Sequence, residues 1–163
     1  MSAGALGITV CWSPSWDFPE GTMTDPDSVP PIEGLLETSL YAADARNTAG
    51  FYRDLFGFAT LVDSPRLVAL EVATRHVLLV FQRGATADDV VDARGTIPGH
   101  DGAGRLHLAF SIPAADFERW RARLAARAIA IAGEYRWPRG GASLYVRDPD
   151  GALVELATPG LWW

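Results

Sequence analysis

The chain carries a single cysteine, Cys11, in 163 residues. One thiol can neither close an intrachain disulfide nor build a cysteine-based zinc site, and it suits a reducing compartment. Positive charge is also sparse: 14 Lys and Arg stand against 20 Asp and Glu, a net charge of −6. Nucleic acid and anionic membranes both recruit clustered basic residues, so neither is an expected partner. No apolar run approaches the roughly 20 residues of a membrane-spanning helix. The short apolar run at residues 5–10 has no positive stretch before it, so a signal peptide is not expected and a cytoplasmic location is. What is present is an ordinary globular composition, 48% hydrophobic and 21% charged, with six Trp. The length suits one domain, or two small modules sharing a core.

Residues 1–33 are punctuated by Pro14, Pro19, Pro26, Pro30 and Pro31, which reads as an irregular extension. Trp12, Trp16 and Phe18 within it are candidates to dock on the body or on a second subunit. Met23 is the only Met besides Met1, and the sequence permits it as an alternative start. Organised structure begins at Leu35. Residues 36–43 alternate as a strand, with Leu36, Thr38, Leu40 and Ala42 on one face and Glu37, Ser39 and Tyr41 on the other. Asp44 is the expected N-cap of a helix whose buried stripe holds Phe51, Leu55 and Phe56, with Tyr52 beside it and Gly57 as its stop. Short strands follow at 58–62, 67–72 and 76–81. Residues 84–104 are polar and glycine-rich, longer than most loops within a domain. They read as a linker between modules or a loop over a site.

The second half repeats this order. A strand at 105–112 leads to Pro113, placed to open a helix over 114–126 with Phe117, Trp120 and Leu124 inward. Residues 128–135 alternate as a strand, and 137–141 form a loop. A hairpin then turns at Asp148-Pro149-Asp150-Gly151, where Pro149 suits the second position and Gly151 a positive φ. Past the turn, Leu153, Glu155 and Ala157 share a face. Glu155 is thus a carboxylate within an apolar strand, and burial requires that it be paired, protonated or metal-bound. Both halves read β-α-β-β-β, giving modules at 34–83 and 105–158, a linker at 84–104 and a tail at 159–163. Superposing them sets Glu37 against His107, Leu40 against Phe110, Leu55 against Leu124 and Leu79 against Glu155. A pseudo-twofold would bring Glu37, Leu79, His107 and Glu155 to one place, and three of the four can bind a metal.

The segments Phe51-Tyr52-Arg53-Asp54-Leu55-Phe56-Gly57-Phe58, Gly104-Arg105-Leu106-His107-Leu108-Ala109-Phe110 and Arg147-Asp148-Pro149-Asp150-Gly151-Ala152-Leu153-Val154-Glu155-Leu156 are similar to stretches of the vicinal oxygen chelate superfamily. So is residues 36–44. That superfamily contains glyoxalase I, fosfomycin and bleomycin resistance proteins, and extradiol dioxygenases. The resemblance implies an α+β fold of two βαβββ modules related by a pseudo-twofold, a cupped mixed sheet around a divalent metal, and a homodimer. It places the second-module ligand on His107 and the closing ligand on Glu155. Glu37 stands where a His is usual, and Leu79 where glyoxalase-type members have a fourth ligand. The implied metal ligands are therefore Glu37, His107 and Glu155, with coordination positions left open.

Two carboxylates and one imidazole suit Fe(II) best, with Mn, Co, Ni or Zn as alternatives. The leading expectation is a non-haem iron oxygenase or dioxygenase acting on an aromatic or enolisable small molecule with vicinal oxygens. The alternatives are a non-redox isomerase, lyase or thiol transferase using the metal as a Lewis acid, and a metal-free drug-binding resistance protein. Tyr145 is a candidate catalytic acid or base, a structural role being equally open. Tyr41, Trp137 and Arg139 are candidate substrate contacts, against the plainer reading of residues 137–141 as a hairpin connection. His76 and His100 are read as surface residues, His100 alternatively as a mobile acid or base over the site. The aromatic tail is expected to pack on a partner or to cover the cavity.

Overall fold

A computed structural model of the chain describes residues 27–162. The chain divides into two compact units, Met1–Gly34 and Leu35–Trp163. In the first, residues 27–34 carry neither helix nor strand; Trp12, Trp16, Phe18 and Met23 lie outside the described residues, as does Trp163. The second unit contains β1 (Glu37–Ala42), α1 (Ala45–Phe56), β2 (Ala59–Asp63), β3 (Leu67–Ala73) and β4 (His76–Gln82). A small hairpin follows, β5 (Val90–Asp92) and β6 (Gly95–Ile97), inside the stretch expected to be loop. Then come β7 (His107–Ser111), a 3₁₀ turn (Ala114–Asp116), α2 (Phe117–Ala126), β8 (Gly133–Arg136), β9 (Ala142–Arg147) and β10 (Leu153–Ala157).

Local chemistry explains the helix ends. The Asp44 carboxylate accepts from the Asn47 amide, and Gly57, at φ 78°, donates its N–H to the Arg53 carbonyl. Tyr52 and Leu55 form the deepest part of α1, whereas Phe51 and Phe56 are half-buried. Pro113 keeps an extended ψ of 140° and precedes a 3₁₀ turn, so α2 opens later than expected, at Phe117. The strand expected at 128–135 is confined to β8. Ala128 takes φ 53°, and the Ile129 amide bonds back to the Leu124 carbonyl, so this segment finishes the helix before a strand can start.

The strands form two four-stranded mixed sheets, ordered β1-β4-β3-β2 and β7-β10-β9-β8. In each, the first strand pairs parallel with the last and the other pairings are antiparallel. Ser39 lies against Leu79 in one sheet and Ala109 against Glu155 in the other, so Leu79 and Glu155 hold the same register position. Leu40, Val68, Leu70, Leu78 and Val80 of the first sheet and Leu144, Val146, Val154 and Leu156 of the second form the buried core with Tyr52, Leu55 and Leu124. By strand alternation Glu37, Ser39, Tyr41, His107, Tyr145 and Glu155 project from the opposite, outer faces.

The two halves are joined at both ends of α1. Asp148 Oδ1 accepts the amides of Asp150 (3.0 Å) and Ala152 (2.9 Å), and its Oδ2 accepts the Tyr52 hydroxyl at 3.0 Å. Asp150 accepts the Ala43 amide and the Thr48 hydroxyl, both at 2.7 Å. At the other end Arg123 Nε donates to the Leu55 carbonyl at 2.6 Å, and Arg127 donates to that of Asp54.

Burial raises the Asp148 carboxyl above the usual carboxylate range. Burial first, and then the Asp148 charge, raise the Tyr52 phenol far above its ordinary value. Two outcomes are expected. Asp148→Ala leaves the buried Tyr52 hydroxyl and two turn amides without acceptors and costs about 2–4 kcal/mol in urea unfolding; a loss below about 0.5 kcal/mol contradicts this clamp. Because the folded value is raised, the Asp148 contribution is full below its unfolded value, about 3.9, and is lost as pH rises through the folded value. Asp148→Asn should therefore gain stability relative to the parent between about pH 3 and pH 7, measured by the same unfolding curves. A constant difference across that window would contradict the raised carboxyl.

Candidate functional site

Antiparallel pairing of β9 and β10 sets Tyr145 directly opposite Glu155, while β7 places His107 beside Leu153. Glu155 is buried, at 5% exposure, and both its oxygens are engaged. The Tyr145 hydroxyl donates to Oε1 at 2.9 Å, and His107 Nε2 stands 3.3 Å from Oε2. His107 Nδ1 lies 3.2 Å from the Leu153 carbonyl. A carbonyl oxygen can only accept, so Nδ1 carries a proton. In the neutral ring Nε2 then presents a lone pair to a carboxylate. Two acceptors face each other, and the contact becomes favourable only with a proton, carried by the ring or by the carboxyl, or a metal ion between them. Nitrogen and oxygen donors so placed fit one flank of a divalent metal site. Burial, and then the hydrogen bond to Glu155, raise the Tyr145 phenol, so it stays a donor that orients the carboxylate.

Glu37 is exposed at the first position of β1, opposite Val77. Among the described residues no three His, Cys, Asp or Glu side chains gather closely enough to hold one ion. The chain thus brings together His107 and Glu155, with Tyr145, but not Glu37. Leu79 is half-buried at the register position equivalent to Glu155.

Tyr41 belongs to a separate cluster on the first sheet. Its ring stacks on Phe81 at 5.5 Å, and its hydroxyl is 2.8 Å from His100 Nδ1. His100 is not a free surface residue: it is half-buried against Phe81 at 4.7 Å, its amide bonds the Thr86 carbonyl, and its carbonyl accepts the Thr86 hydroxyl. Gly102 permits this packing, because a Cβ there would lie 2.5 Å from the Tyr41 ring. His76 is exposed, as expected. Trp137 donates to Ser143 Oγ at 2.8 Å and meets Tyr135 edge-on at 4.8 Å. Arg139 binds the Trp162 carbonyl at 2.7 Å, so its guanidinium holds the tail. The tail runs over Gly141, where a Cβ would come 2.9 Å from Leu161 Cδ1, and Trp162 remains 77% exposed.

Among the described residues no helix is long and apolar enough to cross a membrane. Residues 34–156 match the family model of the glyoxalase/bleomycin resistance protein/dioxygenase superfamily. The fold is similar to that of a lactoylglutathione lyase from Agrobacterium tumefaciens, with 35% identity, a TM-score of 0.74, and coverage of 82% of this chain and 98% of that one. A fosfomycin resistance protein from Listeria monocytogenes is 19% identical with a TM-score of 0.57, over 78% of this chain and 93% of its own. The oxidase ChaP-H2 is 18% identical with a TM-score of 0.56, over 79% and 95%. At such identities these last two share the fold alone. Two matched four-stranded sheets, the repeated register and the family model lead to one conclusion: the chain belongs to the glyoxalase/bleomycin resistance protein/dioxygenase superfamily.

Proposed function

We propose that this protein is a metal-dependent enzyme acting on a small molecule with adjacent oxygen atoms. In this reading His107 and Glu155 supply one part of the ligand set and Glu37 of a second copy the rest. The observation that carries it is the His107–Glu155 contact, in which a ring nitrogen freed by the Leu153 carbonyl faces a buried carboxylate oxygen at 3.3 Å. A homodimer fits two further features: among the described residues β1 and β7 each pair on one side only, leaving an open edge, and Glu37 stands exposed at the start of one of them.

A divalent metal would supply Lewis acidity, and iron would add electrons for O₂ chemistry. The residues do the rest. The Leu153 carbonyl fixes the His107 tautomer, Tyr145 holds Glu155 in one orientation, and Leu79, which has no donor, leaves a position for substrate oxygens. Two carboxylates with one imidazole favour Fe(II) and an oxygenase reaction. The 35% identity to a lactoylglutathione lyase favours a second reading, a non-redox lyase or isomerase.

Protein purified without oxygen is expected to contain about one iron per metal site by mass spectrometry and to consume O₂ with catecholic substrates. Full turnover with Zn(II) and no O₂ uptake selects the second reading, and absence of stoichiometric metal overturns both. Tyr145→Phe should weaken metal affinity by about 10–100-fold in calorimetric titration; an unchanged affinity would remove Tyr145 from the site. In ¹⁵N-histidine NMR, His107 is expected to show a protonated Nδ1, and a ring protonated only on Nε2 contradicts the geometry.

A further inference from the structure

The turn of the second half is locked to α1 by its acids, and the corresponding turn of the first half has none. The residue after Arg147 is Asp148; its register counterpart, after Glu71, is Val72. At Val72 there is a cavity of about 400 Å³ instead of a clamp. Phe56, Phe58, Phe110 and Trp120 form its wall. Phe56 stacks on Phe58 at 5.3 Å and lies tilted against Phe110 at 5.1 Å and Trp120 at 5.5 Å. Phe58 meets Phe110 edge-on at 5.4 Å. All four rings are only half-buried, so each keeps apolar surface open to a ligand.

Size and charge together narrow the occupant. The volume lies in the range of pockets for drug-sized molecules. Among the described residues no arginine or lysine lines it, and Glu37 is its one carboxylate. The other titratable group is His76, whose Nδ1 is 3.1 Å from the Thr74 carbonyl, leaving Nε2 as an acceptor. Aromatic faces are themselves negative in potential. The wall, the Glu37 carboxylate and the His76 acceptor therefore favour an electropositive, planar guest.

We propose that this cavity is a second ligand site, for planar aromatic amines, distinct from the His107–Glu155 pair. Stacking on the Phe56–Trp120 wall supplies affinity, and the acceptors select an amine or other N–H donor over an anion.

The full chain is titrated with 1-aminoanthracene by fluorescence, with 1-anthracenecarboxylate as the matched anion. Saturable uptake of one amine per chain is expected, at least about ten-fold tighter than the carboxylate. Ala73→Trp places bulk on the exposed rim of the cavity, and Trp120→Ala removes part of the wall. Each should weaken the amine by about ten-fold or more, with native circular dichroism. Glu155→Gln should leave the amine affinity unchanged. No saturable uptake, equal affinity for both probes, or unchanged affinity in either well-folded cavity variant overturns the site. Conversion of a dimer to monomers by Ala73→Trp in sedimentation also overturns it, since a second copy would then be the occupant. Neither Ala73 nor Trp120 is a proposed metal ligand, so variants at these two positions test this site apart from the metal centre, whereas Glu37 enters both readings.

Discussion

The second half of the chain holds α1 at both ends, and at each end the sign of the charge matches the helix dipole. Asp150 brings a carboxylate to the Ala43 amide and the Thr48 hydroxyl at the N-terminal end, beside the Asp44 cap. Arg123 and Arg127 bring guanidinium donors to the last-turn carbonyls of Leu55 and Asp54. A helix carries partial positive charge at its start and partial negative charge at its end, so both attachments are favourable. Asp148 adds a third, buried attachment through Tyr52. These contacts fix how the two sheets share one core, and the outer-face residues take their positions from that arrangement.

On this shared scaffold the two sheets have diverged. Position for position, Glu155 in one is Leu79 in the other, and Asp148 is Val72. The second sheet consequently presents a histidine, a carboxylate and a phenol in mutual contact. The outer face of the first sheet presents Tyr41 and Phe81 with His100 packed on them. A buried carboxylate requires donors or a cation around it; Tyr145 donates to one oxygen of Glu155, and His107 faces the other across a contact that needs a proton or a metal ion. Leucine at the equivalent position has no such requirement.

Much of the architecture was legible in the residues because it is governed by short-range rules. Asp44 and Gly57 marked the ends of α1, Pro149 and Gly151 marked the turn, and alternation put Glu155 on the face away from Val154 and Leu156. The equivalence of Leu79 and Glu155 followed from the same alternation applied to two repeats. One error missed a local helix-end signal, and the other arose where distant packing overrode a local pattern. The alternating residues 128–135 read as strand, but Ala128 turns to a positive φ to finish α2. His100 read as a surface residue within a loop, but Thr86, Tyr41 and Phe81 hold it in place.

By itself the sequence determined the elements of the two repeats, their order and the face on which each candidate ligand lies, but not the β5–β6 hairpin between them. Those properties depend on neighbours within a few residues, where backbone sterics, capping and strand alternation act. Only the tertiary structure decided which candidate ligands meet. His107 and Glu155 come together because β7 pairs with β10. Glu37 does not join them within the chain, since its sheet is a separate one. Contact between strands of different sheets depends on how two packed faces are oriented, and no local pattern encodes that.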